Sequence, residues 1–285
     1  MALLLRRAAD PMQVGAFLML LRYRGEDAAE IAGLVDAARA CMAVPDLDVA
    51  LDWPSYGAGK SRGAPWFLLA ALALGQAGHT VLMHGSNEFS GGMSVMAALA
   101  RLQGAPVGLD GAAQALAAHG FAYLPVAALC PAFAAHLGLR RLFGLRSPLN
   151  TVARLLNPAN APASVDGVFH PPYIETHLAA AEILGRERLL VLKGGGGEAE
   201  RNPAKPVAIH IWDKRTGRSE RTLPALTGTA MPEREPDPAE IWSGAVRQEA
   251  IEARIVGTIA LGLIAIGAGG DAEAQTLWET RRPIR

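Results

Sequence analysis

Between Asp10 and Cys41, apolar residues recur every three or four positions, the period of a helix with one buried face. DPMQVGAFLMLLRYRG opens with a capping Asp10 and sets Pro11 at the first helical position, where a missing N–H costs nothing. EDAAEIAGLVDAARACM repeats the pattern, with acids early and Arg39 late, as the helix dipole favours. Gly25 joins the two. The period then shortens. VALDW (49–53), TVLMHG (80–85), FAYLPV (121–126), RERLLVLKGG (186–195) and PVAIHIW (206–212) predict strands. Helical runs lie between and after them, at 66–77, 94–102, 111–118, 173–184 and 241–266. Strands alternating with helices predict a mostly parallel sheet covered by helices, behind a small all-α N-terminal segment. In such sheets ligands sit at the carboxyl ends of the strands, here the loops 54–64, 84–93 and 193–202.

Composition adds little to this picture. The chain has 285 residues, 51% of them hydrophobic, enough for a sizeable core. The formal charge is zero, so only local clusters can argue for an anionic partner. Cys41 and Cys130 sit in separate apolar runs and read as buried thiols in a reducing cytoplasm. MALLLRRAADP has its charges on the wrong side of its apolar run for a secretory signal. The apolar run 255–268 is too short to span a bilayer. A cytoplasmic protein without a membrane partner is expected.

One loop carries a chemical suggestion. In LDWPSYGAGKSRG, Gly59, Lys60 and Ser61 match the end of a phosphate-binding P-loop, but Pro54 stands at its first glycine. Gly63 and Pro65 delay the helix, so the P-loop reading fails. A strand, a basic Gly-rich loop and a helix N-terminus still suit an anion. A plain connection with solvated Lys60 and Arg62 suits the same residues.

The order and wording of the segments resemble anthranilate phosphoribosyltransferase and its relatives, glycosyltransferase family 3. QVGAFLMLLRYRGEDAAEIAGLVDAAR is similar to that family's N-terminal helices. LDWPSYGAGKSRG stands at its GTGGDG loop, TVLMHGS at its KHGN, and LLVLKGGGGEAE at its VVHGxDGxDE. LFGLRSPLNTVARLLNPANAP resembles LGxRTxFNxLGPLxNP most specifically. The resemblance implies a nucleoside phosphorylase/phosphoribosyltransferase-like α/β fold. It would comprise a helical domain at 1–46, shortened relative to the family, and an α/β domain at 47–285, with room for a helical insertion near 124–145. It also implies phosphoribosyl pyrophosphate and Mg²⁺ bound between the domains, and a homodimer through the helical domain. The chain begins later than family members usually do, so the first helix of that dimer surface is expected to be missing or altered.

The motif positions depart from the enzyme pattern. The glycine loop's Asp is gone, and Ser55, Tyr56, Gly57, Gly59, Lys60 and Arg62 remain as its anion-binding candidates. The Asn-x-Ser-Thr positions fall on Pro65, Trp66, Phe67 and Leu68. Met83 and Ser86 flank the retained His84 and Gly85. Ala199 replaces the metal-binding Asp, leaving Glu198 and Glu200 as weak metal candidates or solvated acids. Arg146, Asn150, Asn157 and Pro158 are kept; Arg146 either meets an anion or braces its loop.

Pro54-Ser55-Tyr56 and Lys193-Gly194-Gly195-Gly196-Gly197-Glu198 resemble a non-biosynthetic branch of the family that binds nucleic acid. No Asp or Glu occurs between Asp110 and Asp166, a span holding Arg140, Arg141, Arg146 and Arg154. These are expected to converge with Lys60, Arg62 and Lys193; Trp53, Tyr56 and Trp66 would stack on bases if exposed, while Trp53 and Trp66 read more readily as core residues. Two outcomes stand open. One is a nucleic-acid-binding paralogue, single strands favoured, with a degenerate diphosphate site and no cofactor. The other is a pentosyl transferase or phosphorylase taking a phosphorylated small molecule, with Mg²⁺. His84 shows no partner carboxylate nearby in sequence, and His170 reads as a loop anchor.

Overall fold

The computed structural model describes residues 1–6, 8–57, 63–86 and 91–283. Three helices open the chain, α1 (Ala2–Leu5), α2 (Pro11–Arg24) and α3 (Ala28–Arg39). Strand β1 (Leu51–Ser55) leads to α4 (Trp66–Gln76), β2 (Val81–Gly85), α5 (Val95–Arg101), α6 (Leu109–His119) and β3 (Phe121–Pro125). Short helices follow, α7 (Val126–Leu129), α8 (Pro131–Gly138), α9 (Arg140–Phe143) and α10 (Leu149–Arg154). Then come β4 (Ala163–Val168), α11 (Pro172–Ile183), β5 (Arg188–Lys193), β6 (Val207–Asp213), β7 (Gly217–Leu223), α12 (Pro238–Ser243), α13 (Glu249–Ile266) and α14 (Asp271–Glu279).

The helix starts follow from their caps. Asp10 accepts the Met12 N–H at 2.8 Å, and Asp27 and Glu30 cap each other's backbone at 2.7 and 3.0 Å. Gly25 ends α2 at φ 85°, a conformation glycine adopts cheaply. Arg39 does more than complement a dipole: it crosses to the loop after α10, donating to the Leu156 carbonyl at 2.6 Å and to the Asn157 carbonyl.

The sheet runs β3-β2-β1-β4-β5-β6-β7. The first five strands are parallel, and β6 and β7 add on antiparallel. Strand β5 shows why its sequence is a continuous apolar run. Leu190 and Leu192 face one core and Leu189 and Val191 the other, so neither side meets water. The first core packs α4 and α13 on the sheet; the second packs α2, α3, α8, α10 and α11 on its other side. Helix α4 is apolar all round because it is buried all round. A Cβ at Gly262 of α13 would lie 2.4 Å from Leu74 Cδ1, so the crossing depends on that missing atom.

Three expectations need correction. The last long helix is two: α12 stops at Gly244, left-handed at φ 77°, and α13 starts afresh at Glu249. Strand β7, GRSERTL, escaped the pattern because it is a charged edge with five exposed positions, as sheet edges require. Trp53 and Trp66 are fully buried in the core under the sheet, and Tyr56 is buried in the other, so none can stack on a base.

Candidate anion-binding site

Where the carboxyl end of β4 meets α2, α9, α10 and α11, the chain encloses a cavity of about 300 Å³. Arg22, Arg140, Arg146 and Arg154 line it, with Asn150, Tyr173 and His177, and among the described residues no acid does. Four cations around one cavity are an energetic cost that a bound anion would relieve. Arg146 bears that cost most openly. It is half-buried and has no hydrogen-bond or ion-pair partner among the described residues. Burial, then Arg154, Arg140 and Arg22, push its guanidinium down to about 10.

The other arginines are placed differently. Arg154 is 7% exposed and is a strut. It donates to the carbonyls of Tyr56, Asn150 and Gly167 at 3.0 Å and to that of Gly197 at 3.2 Å, tying four segments together. Its burial lowers its pKa, which Glu198 and Asp166 oppose. Arg22 donates to the Tyr173 hydroxyl at 2.8 Å, and that hydroxyl reaches Glu26 at 3.2 Å. Asn150 turns back on the Ser147 carbonyl at 3.2 Å and shapes the wall. Asn157 clamps its own turn at φ 39°, exchanging two 2.8 Å hydrogen bonds with Ala161. The RSPLN…NP stretch therefore splits into a cavity wall and a turn.

At the floor, His177 of α11 lies with Nδ1 2.8 Å from Asp166 Oδ2 of β4. Burial raises the Asp166 carboxyl, opposed by the hydrogen bond and charge of His177. The sequence reading missed Arg22, Tyr173, His177 and Asp166 as site residues. Only tertiary packing unites α2 with α11, and no sequence spacing signals it.

The Gly-rich loops look different. Gly59, Lys60 and Arg62 lie outside the described residues. Ser55 and His84 are buried within the sheet. His84 does have a carboxylate. Asp52 lies two residues before Pro54, the register partner of His84, so both side chains share a face. Asp52 Oδ1 is 3.2 Å from His84 Nε2, and the Tyr56 hydroxyl is 2.8 Å from Nδ1. Burial, Tyr123 and Asp52 hold the Tyr56 hydroxyl well above its ordinary range. Gly85 serves backbone packing, since a Cβ there would fall 2.0 Å from the Ser55 carbonyl oxygen. Lys193 is exposed at the end of β5, outside the cavity lining. His170 is exposed at the rim beside Phe169.

Carboxylates already occupy the N-terminus of α4. Glu200 accepts the Phe67 N–H at 3.1 Å and pairs with Arg254 at 2.9 Å. Glu235 accepts the Ala64 N–H at 2.7 Å and the Trp66 indole N–H at 3.0 Å. Glu198 is buried against Gly57, where a Cβ would lie 2.3 Å from its Oε1. Among the described residues no three His, Cys, Asp or Glu side chains gather into a metal cluster. Nor is any described helix long and apolar enough to cross a membrane.

A small helical N-terminal segment and a mostly parallel sheet covered by helices define a protein of the phosphoribosyltransferase fold. A crystal structure of anthranilate phosphoribosyltransferase from Thermus thermophilus superimposes with a TM-score of 0.76 at 22% identity, covering 97% of this chain and 87% of that one. The Saccharomyces cerevisiae enzyme in complex with PRPP and Mg gives 0.74 at 19% identity, covering 98% and 85%. The profile of the glycosyl transferase family helical bundle domain matches residues 1–42. Anthranilate phosphoribosyltransferase of Anaeromyxobacter sp. (strain K) is 32% identical over 273 residues, 93% of this chain and 76% of the relative. That of strain Fw109-5 is 33% identical over 222 residues, 75% of this chain but only 63% of the relative's length. The chain belongs to the anthranilate phosphoribosyltransferase family, the glycosyltransferase family 3 proteins.

Proposed function

We propose that this protein is a nucleic-acid-binding member of the family. It seats a phosphate of a single strand in the arginine cavity, and its diphosphate–metal site is degenerate. The carrying observation is Arg146, half-buried among like charges without a partner among the described residues. Around it, Arg22 and Phe169 are exposed at the rim, a cation and an aromatic ring that suit a strand. The opposite loops support degeneracy. Both Glu200 oxygens are engaged within the protein, Glu198 is packed on Gly57, and the α4 N–H groups already face carboxylates. Glu200 and the Phe67 N–H are thereby withheld from a Mg²⁺–diphosphate pair, which needs free hard oxygens and open N–H donors.

The test is fluorescence anisotropy of a labelled single-stranded oligonucleotide at several salt concentrations. Binding should weaken with salt by a log–log slope of about −0.7 per phosphate neutralised. Arg146→Ala, and separately Lys60→Ala with Arg62→Ala, should weaken it further. No binding at low salt would overturn the proposal.

A second reading is a transferase using PRPP and Mg²⁺, as in the yeast relative's complex. It is favoured by the family's named activity and by the retained Gly-rich loops and Arg146/Asn150. Mg²⁺-dependent heat on titrating PRPP would establish it.

The helical segment also supports a homodimer. Helix α2 exposes Met12 (82%), Leu20 (67%) and Tyr23 (92%), an apolar strip that a second copy would cover. Light scattering should give a dimer mass for the wild type and a monomer mass for Leu20→Glu; a monomeric wild type removes the dimer.

A further inference from the structure

The cavity has a closed floor and an open rim. Arg154, Thr151, Val168 and His177 are buried at the floor, while Arg22, Leu145, Phe169 and His170 are exposed at the rim. A phosphodiester in mid-strand that reached this floor would need its chain to enter and leave by one mouth, whereas a terminal phosphate monoester needs only one connection. The floor also holds a proton-handling pair. His177 Nδ1 is held by Asp166 at 2.8 Å, and no described residue makes a hydrogen bond to Nε2.

We infer that the floor of the arginine cavity is a seat for a phosphate monoester, and that His177, oriented by Asp166, shares a proton with it. The chemistry fits a phosphorylated strand end or a small phosphorylated molecule. The inference rests on the anion reading of the cavity above.

The proton count follows from the tautomer. With Asp166 ionised and a neutral imidazole, Nδ1–H donates to the carboxylate and Nε2 is left as an acceptor. A phosphate dianion cannot approach an acceptor nitrogen favourably. Either a proton is added to the His177–Asp166 pair, so that Nε2–H donates, or the phosphate retains its own P–OH and donates to Nε2. In each case the complex holds one proton more than its separated partners above the second phosphate ionisation, about pH 6. Arg22 and Arg140 from α2 and α9, and Arg146 and Arg154 at α10, line the cavity with His177. Asp166 of β4 holds its Nδ1, Glu198 acts on Arg154, and the Tyr173 hydroxyl is tied to Arg22 and Glu26. His177 is a positioning and specificity-determining residue in this scheme.

The experiment is titration calorimetry of the full chain at pH 8 in two phosphate-free buffers of different ionisation enthalpy. The probes are one oligonucleotide with hydroxyl ends, the same one phosphorylated at its 5′ or its 3′ end, and ribose 5-phosphate. One of the phosphorylated ends should bind about tenfold tighter than the hydroxyl form, the value of one good charge-assisted contact. Its binding should take up about one proton. His177→Gln should remove both differences, with a cooperative melt showing that the variant folds. Asp166→Asn should remove the proton uptake. Equal binding of phosphorylated and hydroxyl ends would overturn the monoester seat and leave the nucleic-acid reading standing. Binding of ribose 5-phosphate with proton uptake, but of no oligonucleotide, would keep the seat and overturn nucleic acid. Proton uptake unchanged in His177→Gln would overturn the role of His177.

Discussion

Replacing Arg154 by Met tests whether this arginine is a strut or a ligand contact. Met keeps much of the apolar stem and removes every guanidinium bond. Four backbone carbonyls lose their donor, those of Tyr56, Asn150, Gly167 and Gly197. At about 1 kcal/mol net for each, the loss is about 4 kcal/mol. Two further terms oppose each other: the burial cost of the cation disappears, but the buried Asp166 and Glu198 lose a compensating charge. The balance stays near 4 kcal/mol, within the range of about 3–5 for breaking a buried ionic network. For a chain of this size that lowers the thermal midpoint by about 7 °C. Circular dichroism melts at neutral pH read it directly, with urea unfolding as a check. Arg154→Lys keeps the charge but cannot span four carbonyls, and should recover less than half the loss. A midpoint shift below about 2 °C for Arg154→Met, or full rescue by Lys, would refute the carbonyl count.

Arg146 should behave in the opposite way. Its guanidinium is pushed down to about 10 by burial and three arginines, so the folded state holds that proton less tightly than the unfolded chain. The charge therefore costs stability at neutral pH, and the cost is relieved only as pH rises through about 10. Arg146→Ala should leave the thermal midpoint unchanged or raise it, and sulfate should raise the midpoint of the wild type but not of this variant; a midpoint drop of several degrees would contradict this. Tyr56→Phe leaves the buried His84 Nδ1 without its partner and should cost about 1–3 kcal/mol. Anion affinity should be unchanged; lost affinity at an unchanged midpoint would place Tyr56 on the ligand. Gly85→Ala should fail to give soluble protein, because its Cβ would overlap the Ser55 carbonyl oxygen and backbone cannot retreat as a side-chain tip can; a wild-type melt would contradict the close approach.

Helix periodicity, the Asp10 and Asp27 caps and the continuous apolar runs are local signals. They determined the helical start, the mostly parallel sheet and the placing of loops at the strand ends. The RSPLN…NP wording, with the order of the other segments, pointed to the family and brought Arg146 forward as either an anion contact or a loop brace. The divided last helix and the charged edge strand β7 were not legible, because a left-handed Gly244 and a strand with no apolar face leave no periodic trace. The meaning of each polar residue depended on its partners across the fold. Arg146 and Arg154 are eight positions apart on one basic stretch, yet one has no partner among the described residues and the other holds four carbonyls. His84 has no carboxylate beside it in sequence, and parallel pairing sets Asp52 next to it in space. Arg22 and His177 entered the site only because α2 and α11 pack at one cavity. Periodicity is a property of neighbouring positions and survives in one dimension. Charge compensation, burial and hydrogen-bond satisfaction depend on distance in space, and only the folded chain decides them.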